Sequence, residues 1–200
     1  MGEVKSAAWY DTRYNDSENT HYHESYLNSK YIKIWNNIVR LFLTNKESVI
    51  VDIGCGPGQF ANLLYNNDYI HYTGFDFSKT ALEIAKKKKL YGYGFVKMPI
   101  EKIISDHLLS GIKFDTVIML ETLEHIEDPL DIELIKEIPE GKQIILSVPS
   151  FDSVAHARHF FSIEEVLDRY GFFFSEIDYF IDYVGSLKKI YVLNGIKGKN

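Results

Sequence analysis

Ser48-Val49-Ile50-Val51-Asp52-Ile53-Gly54-Cys55-Gly56-Pro57-Gly58 is the stretch on which the fold of this chain turns. Its first six residues form a short β-branched run of the kind that makes a buried strand. The next five are a glycine-rich turn, and Gln59 to Asn66 then read as a helix. Strand, glycine turn and helix open a βαβ unit. Glycine lacks a Cβ and can take positive φ, so a ligand can approach the backbone, while the amides at the helix start stay free to meet its polar groups.

The same alternation continues toward the C-terminus. Tyr69 to Phe75 is a second strand, closed by Asp76-Phe77-Ser78, and Ser78 is placed to cap a helix from Lys79 to Lys88. Tyr93 to Lys97 is a third strand with a helix from Glu101 to Leu109. Phe114 to Leu120 is a fourth with a helix from Pro129 to Ile138, and Gln143 to Val148 is a fifth, ending at Pro149. A helix opening at Ser162-Ile163 should stop near Gly171. Phe172 to Tyr179 and Lys189 to Leu193, split by a turn at Gly185-Ser186, then predict a closing hairpin. This order predicts an α/β fold: a doubly wound, Rossmann-like sheet, mostly parallel, with a C-terminal antiparallel hairpin strand and helices on both faces.

Toward the N-terminus, Leu27, Tyr31, Ile34, Trp35, Ile38, Val39 and Phe42 recur at helical spacing and predict an amphipathic helix from Ser25 to Leu43, capped by Ser25. Residues 1–24 have no clean period but carry Trp9, Tyr10, Tyr14 and Tyr22, and read as an irregular arm. The expected division is an N-terminal arm and helix over residues 1–47, able to act as a lid, and a ligand-binding domain over residues 48–200.

Composition narrows the function. The chain is 46% hydrophobic and 25% charged, ordinary for one globular domain. Its net charge of −6 argues against a nucleic-acid partner, and Lys86 to Lys89 read as a solvated helix end. A lone Cys55 leaves no internal disulfide or multi-cysteine zinc site and suits a reducing, cytoplasmic location. No apolar run approaches the roughly 20 residues of a membrane span, and Met1-Gly2-Glu3-Val4-Lys5 lacks the apolar core of a secretory signal. Gly2 with Ser6 is a weak myristoylation match with no second lipid signal beside it, so no membrane partner is expected.

Asp76 sharpens the ligand. At the carboxyl end of the second strand a carboxylate can accept two hydrogen bonds from a ribose diol, which points to an adenosine-containing ligand; the plainer alternative is a helix-entry residue beside Ser78. The glycine pattern is D-x-G-x-G-x-G, with Gln59 where the dinucleotide fingerprint places its third glycine, which argues against a nicotinamide-dependent dehydrogenase.

Val51 to Gly58 together with Asp76 resembles the first two motifs of the class I S-adenosylmethionine-dependent methyltransferases, over residues 48–195. Leu120-Glu121-Thr122-Leu123-Glu124-His125-Ile126-Glu127-Asp128-Pro129 resembles the E-x-L-E-H-x-x-D-P segment of the branch that includes the ubiquinone-biosynthesis O-methyltransferases, and Ser147-Val148-Pro149-Ser150 resembles that branch's exit from strand five. The resemblance implies S-adenosylmethionine as cofactor. Gly54, Gly56 and Gly58, in a loop shared with Asp52 and Cys55, would line its methionine part, and Asp76, with Phe77 beside it, would hold the ribose. Leu120 and Glu121 would close over the reactive end. The acidic residue that relatives often place after strand three is replaced here around Met98-Pro99-Ile100, so Met98 and Ile100 would sandwich the purine instead.

Methyl transfer to an oxygen or nitrogen of a small or medium-sized acceptor is the expected activity, and it needs alignment and exclusion of water more than acid or base. His125, His156 and His159 are the candidates for a catalytic base, against the plainer role of fixing their own loops. Glu121, Glu124, His125 and one of His156 or His159 can also gather around a divalent ion. That set resembles the metal site of methyltransferases that modify the terminal ribose of small RNAs. The E-x-x-E-H string also occurs in metal-free relatives and the acidic chain disfavours RNA, so the expectation carries no metal. A cofactor-binding module without activity of its own is the remaining alternative.

Overall fold

Ile50–Ile53 (β1) is a strand with all four residues buried, which is why it shows no polar alternation. It lies between Tyr72–Asp76 (β2) and Thr116–Leu120 (β4), parallel to both. The computed structural model describes residues 2–16 and 18–199. Met1, at the head of the start read above for a leader, lies outside them, as do Ser17 and Asn200. With Gly94–Lys97 (β3), Gln143–Pro149 (β5), Phe174–Val184 (β6) and Lys188–Lys197 (β7), the strands form one seven-stranded sheet in the order β3-β2-β1-β4-β5-β7-β6. β1 to β5 run parallel, and β7 and β6 are antiparallel additions. The expected fold class is therefore present, and the strand order reverses beside β1, the place where ligands bind in such sheets.

Successive residues of the central strands point to opposite faces. Ile50, Ile118 and Ile145 pack on one face with Ile38 of Ile32–Leu41 (α2), Leu64 of Gln59–Asn66 (α3) and Leu82 of Lys79–Lys87 (α4), while Ala7–Asn15 (α1) packs through Tyr14 on Ala81 and Ile84 of α4. Val51, Ile53, Val117, Met119 and Leu146 pack on the other face against Ile100–Ser105 (α5), Leu108–Gly111 (α6), Leu130–Lys136 (α7) and Ile163–Tyr170 (α8). Each fully buried aliphatic side chain contributes about 1.5–3 kcal/mol. Among the described residues no helix is long and apolar enough to cross a membrane.

Several boundaries differ from the sequence reading. The arm is not irregular: α1 forms behind Ser6, whose hydroxyl accepts from the Trp9 amide. Only Tyr14 of α1 is buried, so no apolar stripe announces it. Ser25 caps a short 3-10 turn over Tyr26–Asn28, and α2 starts only at Ile32, because the Ser29 hydroxyl takes the Tyr31 amide and competes with helix there. The helix expected from Glu101 to Leu109 splits into α5 and α6 at His107, whose φ is 48°. The hairpin turns at Gly185 as read, but β6 begins after a 3-10 turn at Gly171–Phe173, and both strands run further than their apolar runs suggest.

Candidate functional site

The loops after β1, β2, β4 and β5 surround a cavity of about 1590 Å³ beyond the carboxyl ends of the strands. Its first wall is the glycine loop. Gly54 has φ +79°, and a Cβ there would run into the side chain of Thr122, whose hydroxyl lies 3.2 Å from the Ile53 carbonyl and 3.1 Å from that of Leu120. The exits of β1 and β4 are thereby held close, and only glycine fits between them.

The Gly56 amide donates to Asp76 Oδ2 and the Ser78 amide to Oδ1, each at 2.8 Å. Each carboxylate oxygen keeps a lone pair for a ligand in the cavity. Burial pushes Asp76 up to about 6, against the downward pull of those amides. Asp52 takes the Tyr72 hydroxyl at 2.6 Å and is raised to about 7 by burial, with that hydrogen bond opposing the shift and the charge of Asp76 adding to it. Phe77, Met98 and Ile100 line the cavity beside Asp76, and Leu120 and Glu121 line its middle.

Two loop residues do other work. Gly58 lies off the cavity at the start of α3, where a Cβ would stand 2.9 Å from that of Ala85 and 3.4 Å from the Phe95 ring. Its missing side chain lets α3 approach α4 and β3. Cys55 lines the cavity as part of its loop, but its side chain is buried against Gly74, and burial holds its thiol well above the ordinary range.

The roof is α1. Asp11 accepts from the Ser78 hydroxyl at 2.5 Å and the Thr80 amide at 3.0 Å, at the start of α4. Tyr14 covers Gly56, and the Gln59 amide group donates to the carbonyls of His21 (2.9 Å) and Glu24 (3.1 Å), holding the rest of the arm. Tyr10 packs on Phe77 at 5.3 Å and edge-on to His125 at 5.8 Å.

The far wall is built from the loops after β4 and β5. Glu121 is a non-glycine residue at φ +50°, a conformation held by its neighbours. Its amide donates to Ser147 Oγ (3.0 Å), the Ser147 hydroxyl donates to Oε1 (2.9 Å), and the Tyr31 hydroxyl donates to Oε2 (3.4 Å). Glu124 is fully buried with no hydrogen bond to either carboxylate oxygen. Burial drives both glutamates above the usual carboxylate range, and their mutual repulsion adds to it for Glu124. His125 Nδ1 lies 2.8 Å from the Ala155 carbonyl and 2.9 Å from the Tyr10 hydroxyl. A carbonyl can only accept, so Nδ1 carries the proton and Nε2 the lone pair. Burial lowers His125 to about 4, which keeps the ring neutral. His156 is arranged alike, with Nδ1 3.0 Å from the Phe151 carbonyl.

Asp131 locks these loops together. It is fully buried and takes Arg169 at 2.8 and 2.9 Å, the Tyr170 hydroxyl at 2.8 Å and Arg158 at 3.2 Å. Arg158 also donates to the Leu123 carbonyl (2.6 Å), and the Ala157 amide donates to that of Glu124 (2.7 Å). His125 and His156 therefore meet, with rings 4.9 Å apart. His159 does not join them: it is off the cavity, edge-on to Phe161 at 4.9 Å and 3.9 Å from Asp152. Sequence reasoning missed Asp11, Tyr31 and Asp131 as parts of the site. Each acts across a long chain separation, and nothing local marks it.

The residues present fit a nucleoside cofactor: a carboxylate with lone pairs to spare, apolar side chains beside it, and a glycine loop that brings backbone to the cavity. Residues 44–172, more than half of the chain, match a family model described as a methyltransferase domain. The ubiquinone biosynthesis O-methyltransferase of Vibrio campbellii is 33% identical over 84 residues, 42% of this chain and 35% of that protein. The enzyme of the same name from Pseudoalteromonas translucida is 31% identical over 105 residues, 48% of this chain and 43% of that one, so the chain spans less than half the length of these relatives. A magnesium protoporphyrin IX methyltransferase from Synechocystis, solved with bound S-adenosylmethionine, shares the fold with a TM-score of 0.70 at 18% identity, over 99% of this chain and 100% of that one. This chain belongs to the methyltransferase domain family, as a member of the class I, S-adenosylmethionine-dependent methyltransferases.

Proposed function

We propose that the chain transfers a methyl group to an oxygen or nitrogen of a small or medium-sized acceptor held against the far wall of the cavity. The observation that carries this reading is the pair of unlike walls: a carboxylate at the switch point with spare lone pairs on one side, and buried acids with neutral imidazoles on the other. The bound cofactor supplies an electrophilic methyl carbon, whose bond to sulfur breaks with both electrons leaving on the sulfur as the acceptor's lone pair forms the new bond. Asp76 would hold the ribose, Phe77, Met98 and Ile100 the purine, and the loop of Asp52, Gly54, Cys55 and Gly56 the methionine part, with Leu120 and Glu121 over the reactive end.

His125 and His156 present Nε2 lone pairs that can take the acceptor's proton. His159 is given no part in the chemistry. Residues 1–47 serve as a lid over the domain formed by residues 48–200, with α1 excluding water from the reacting atoms. The net charge of −6 supports a small acceptor over a nucleic acid, and the lone buried Cys55 supports work in a reducing cytoplasm. Calorimetry tests the reading: S-adenosylhomocysteine should bind in the micromolar range and NAD should not. Tighter binding of NAD would overturn it.

A further inference from the structure

We propose that the methyl acceptor is an organic anion whose carboxylate or phosphate group is held by Lys30 and Lys188 at the mouth of the cavity. That this anion is the acceptor rests on the methyl-transfer reading; the anion site itself does not. Three segments are pinned together at that rim. Lys33 of α2 reaches Asp182 of β6 at 2.6 Å, and Asn37 donates to the same carboxylate at 3.1 Å, which fixes the start of α2 on the hairpin. The Ser150 amide donates to the Lys189 carbonyl (2.9 Å) and the Lys189 amide to Ser150 Oγ (3.0 Å), which fixes the loop after β5 on the start of β7. Lys30 stands just before α2 and Lys188 opens β7, so these contacts set both lysines beside Phe151 and Tyr31.

Each ammonium group lies over an aromatic ring of the cavity wall: Lys30 Nζ is 5.1 Å from the centre of the Tyr31 ring, and Lys188 Nζ is 4.6 Å from that of Phe151. Tyr31 stacks on Trp35 at 5.9 Å, and Phe151 packs on His156 at 5.8 Å. Cations at the rim, aromatic rings below them and the His156 imidazole further in give the acceptor region a direction. Among the described residues neither lysine forms an ion pair. The acids around them are engaged elsewhere. Asp182 takes Lys33 and Asn37, and Asp152 accepts from the Ser153 amide and lies 3.9 Å from His159. Glu121, whose charge acts on Lys30 from inside, is held by Ser147 and Tyr31.

The other cations that line the cavity are already paired, Lys5 with Glu3 and both Arg158 and Arg169 with Asp131. Lys30 and Lys188 are therefore the charges left to meet a ligand at this mouth. They also repel: the charge of Lys188, added to partial burial, holds Lys30 below the ordinary lysine range. An anion between them relieves that repulsion, whereas a cationic acceptor would add to it. Both side chains reach solvent, so the pair contributes selectivity and capture more than raw affinity. An acceptor bound this way turns its charged end outward, lays its body on Tyr31, Trp35 and Phe151, and points its nucleophile inward to the Nε2 lone pair of His156.

The test titrates the full chain by calorimetry, with and without S-adenosylhomocysteine, using benzoate, phenyl phosphate, benzyl alcohol and benzylamine, which share a ring and differ in charge. Benzoate or phenyl phosphate should bind about 10-fold or more tightly than benzyl alcohol, and benzylamine more weakly than either, with the preference shrinking as salt is raised. Whichever anion binds more tightly names the group as carboxylate or phosphate. Lys30→Ala combined with Lys188→Ala should erase the preference, and Lys188→Glu should shift it toward benzylamine. Melting temperature and S-adenosylhomocysteine affinity should be unchanged in these variants, since both side chains are exposed. No saturable binding of either anion, equal affinity for benzoate and benzyl alcohol, or a preference that survives the double substitution overturns the anion site. If S-adenosylhomocysteine fails to bind while the preference holds, the methyl-transfer reading falls and the anion site stands.

Discussion

Asp76 and Glu124 are both buried carboxylates on one cavity, yet they are held in opposite ways. Asp76 is met by two backbone amides from adjoining loops, whereas Glu124 has no hydrogen bond to its carboxylate at all. The first is complete within the protein and has lone pairs left over; the second has only the His125 ring beside it, with Nε2 3.7 Å from Oε1. Each wall of the cavity follows its carboxylate. The Asp76 wall is preorganised by short-range turns, and the Glu124 wall is assembled by contacts between distant loops.

The largest test of this contrast concerns Asp131, the group that assembles the second wall. It takes four polar contacts from three residues where the Glu124 carboxylate has no hydrogen bond, and it ties Arg158, and through it the loop after β5, to the body of the domain. Removing one partner of a buried ion pair typically costs about 3–5 kcal/mol. Asp131→Ala should lose stability on that scale in urea melts and should misplace His156 relative to Glu124. A loss within the range of ordinary surface changes would mean that the second wall is held by other contacts.

How legible each wall was in the sequence follows from the same difference. The Gly54 to Gly58 turn, Asp76 and Ser78 lie within one βαβ unit, and their residue types follow from local needs: positive φ, a cap, an acceptor beside free amides. That the sheet is mostly parallel with helices on both faces followed from the alternation of elements. The pairing of His125 with His156 in place of His159 was not legible, because it depends on where the loop after β5 folds back onto the loop after β4. Helix α1 escaped for another reason: it docks through Asp11 and tyrosine rings, without the apolar stripe that periodicity detects.

A smaller effect should separate the walls by pH. Burial lifts Asp76 to about 6, above the ordinary range near 4. Between those values the folded chain holds a proton that the unfolded chain has lost, so this group's contribution to stability is fully present below about 4 and is lost as pH rises through about 6. Cofactor binding should run the other way, since the ribose hydroxyls need the ionised acceptor: affinity for S-adenosylhomocysteine should fall as pH drops below about 6. Asp76→Ala should cost about 1–3 kcal/mol of binding at neutral pH, and Asp76→Asn should flatten the pH dependence. A pH profile that survives in Asp76→Asn would shift the titration to Asp52, whose value lies near 7.

The smallest effect expected is at the roof that joins the two walls. Tyr10 packs on Phe77 of the first wall and places its hydroxyl 2.9 Å from His125 Nδ1 of the second, so α1 touches both. The His125 proton already has the Ala155 carbonyl as acceptor, and the tyrosine oxygen is a second partner for it. Tyr10→Phe keeps the ring contacts and removes only that partner, a change of about 0.5–1.5 kcal/mol in closing the arm. Hydrogen exchange resolves it: amides of α1 should exchange faster in Tyr10→Phe, and S-adenosylhomocysteine should slow them in both proteins if α1 closes as a lid. Asp11→Ala provides the contrast, since Asp11 holds α1 to the first wall alone through Ser78 and Thr80. If ligand protects α1 in Tyr10→Phe but not in Asp11→Ala, closure is driven from the Asp76 side. Equal exchange with and without ligand in the parent chain would make α1 a fixed roof, and its two contacts would then matter for stability and not for gating.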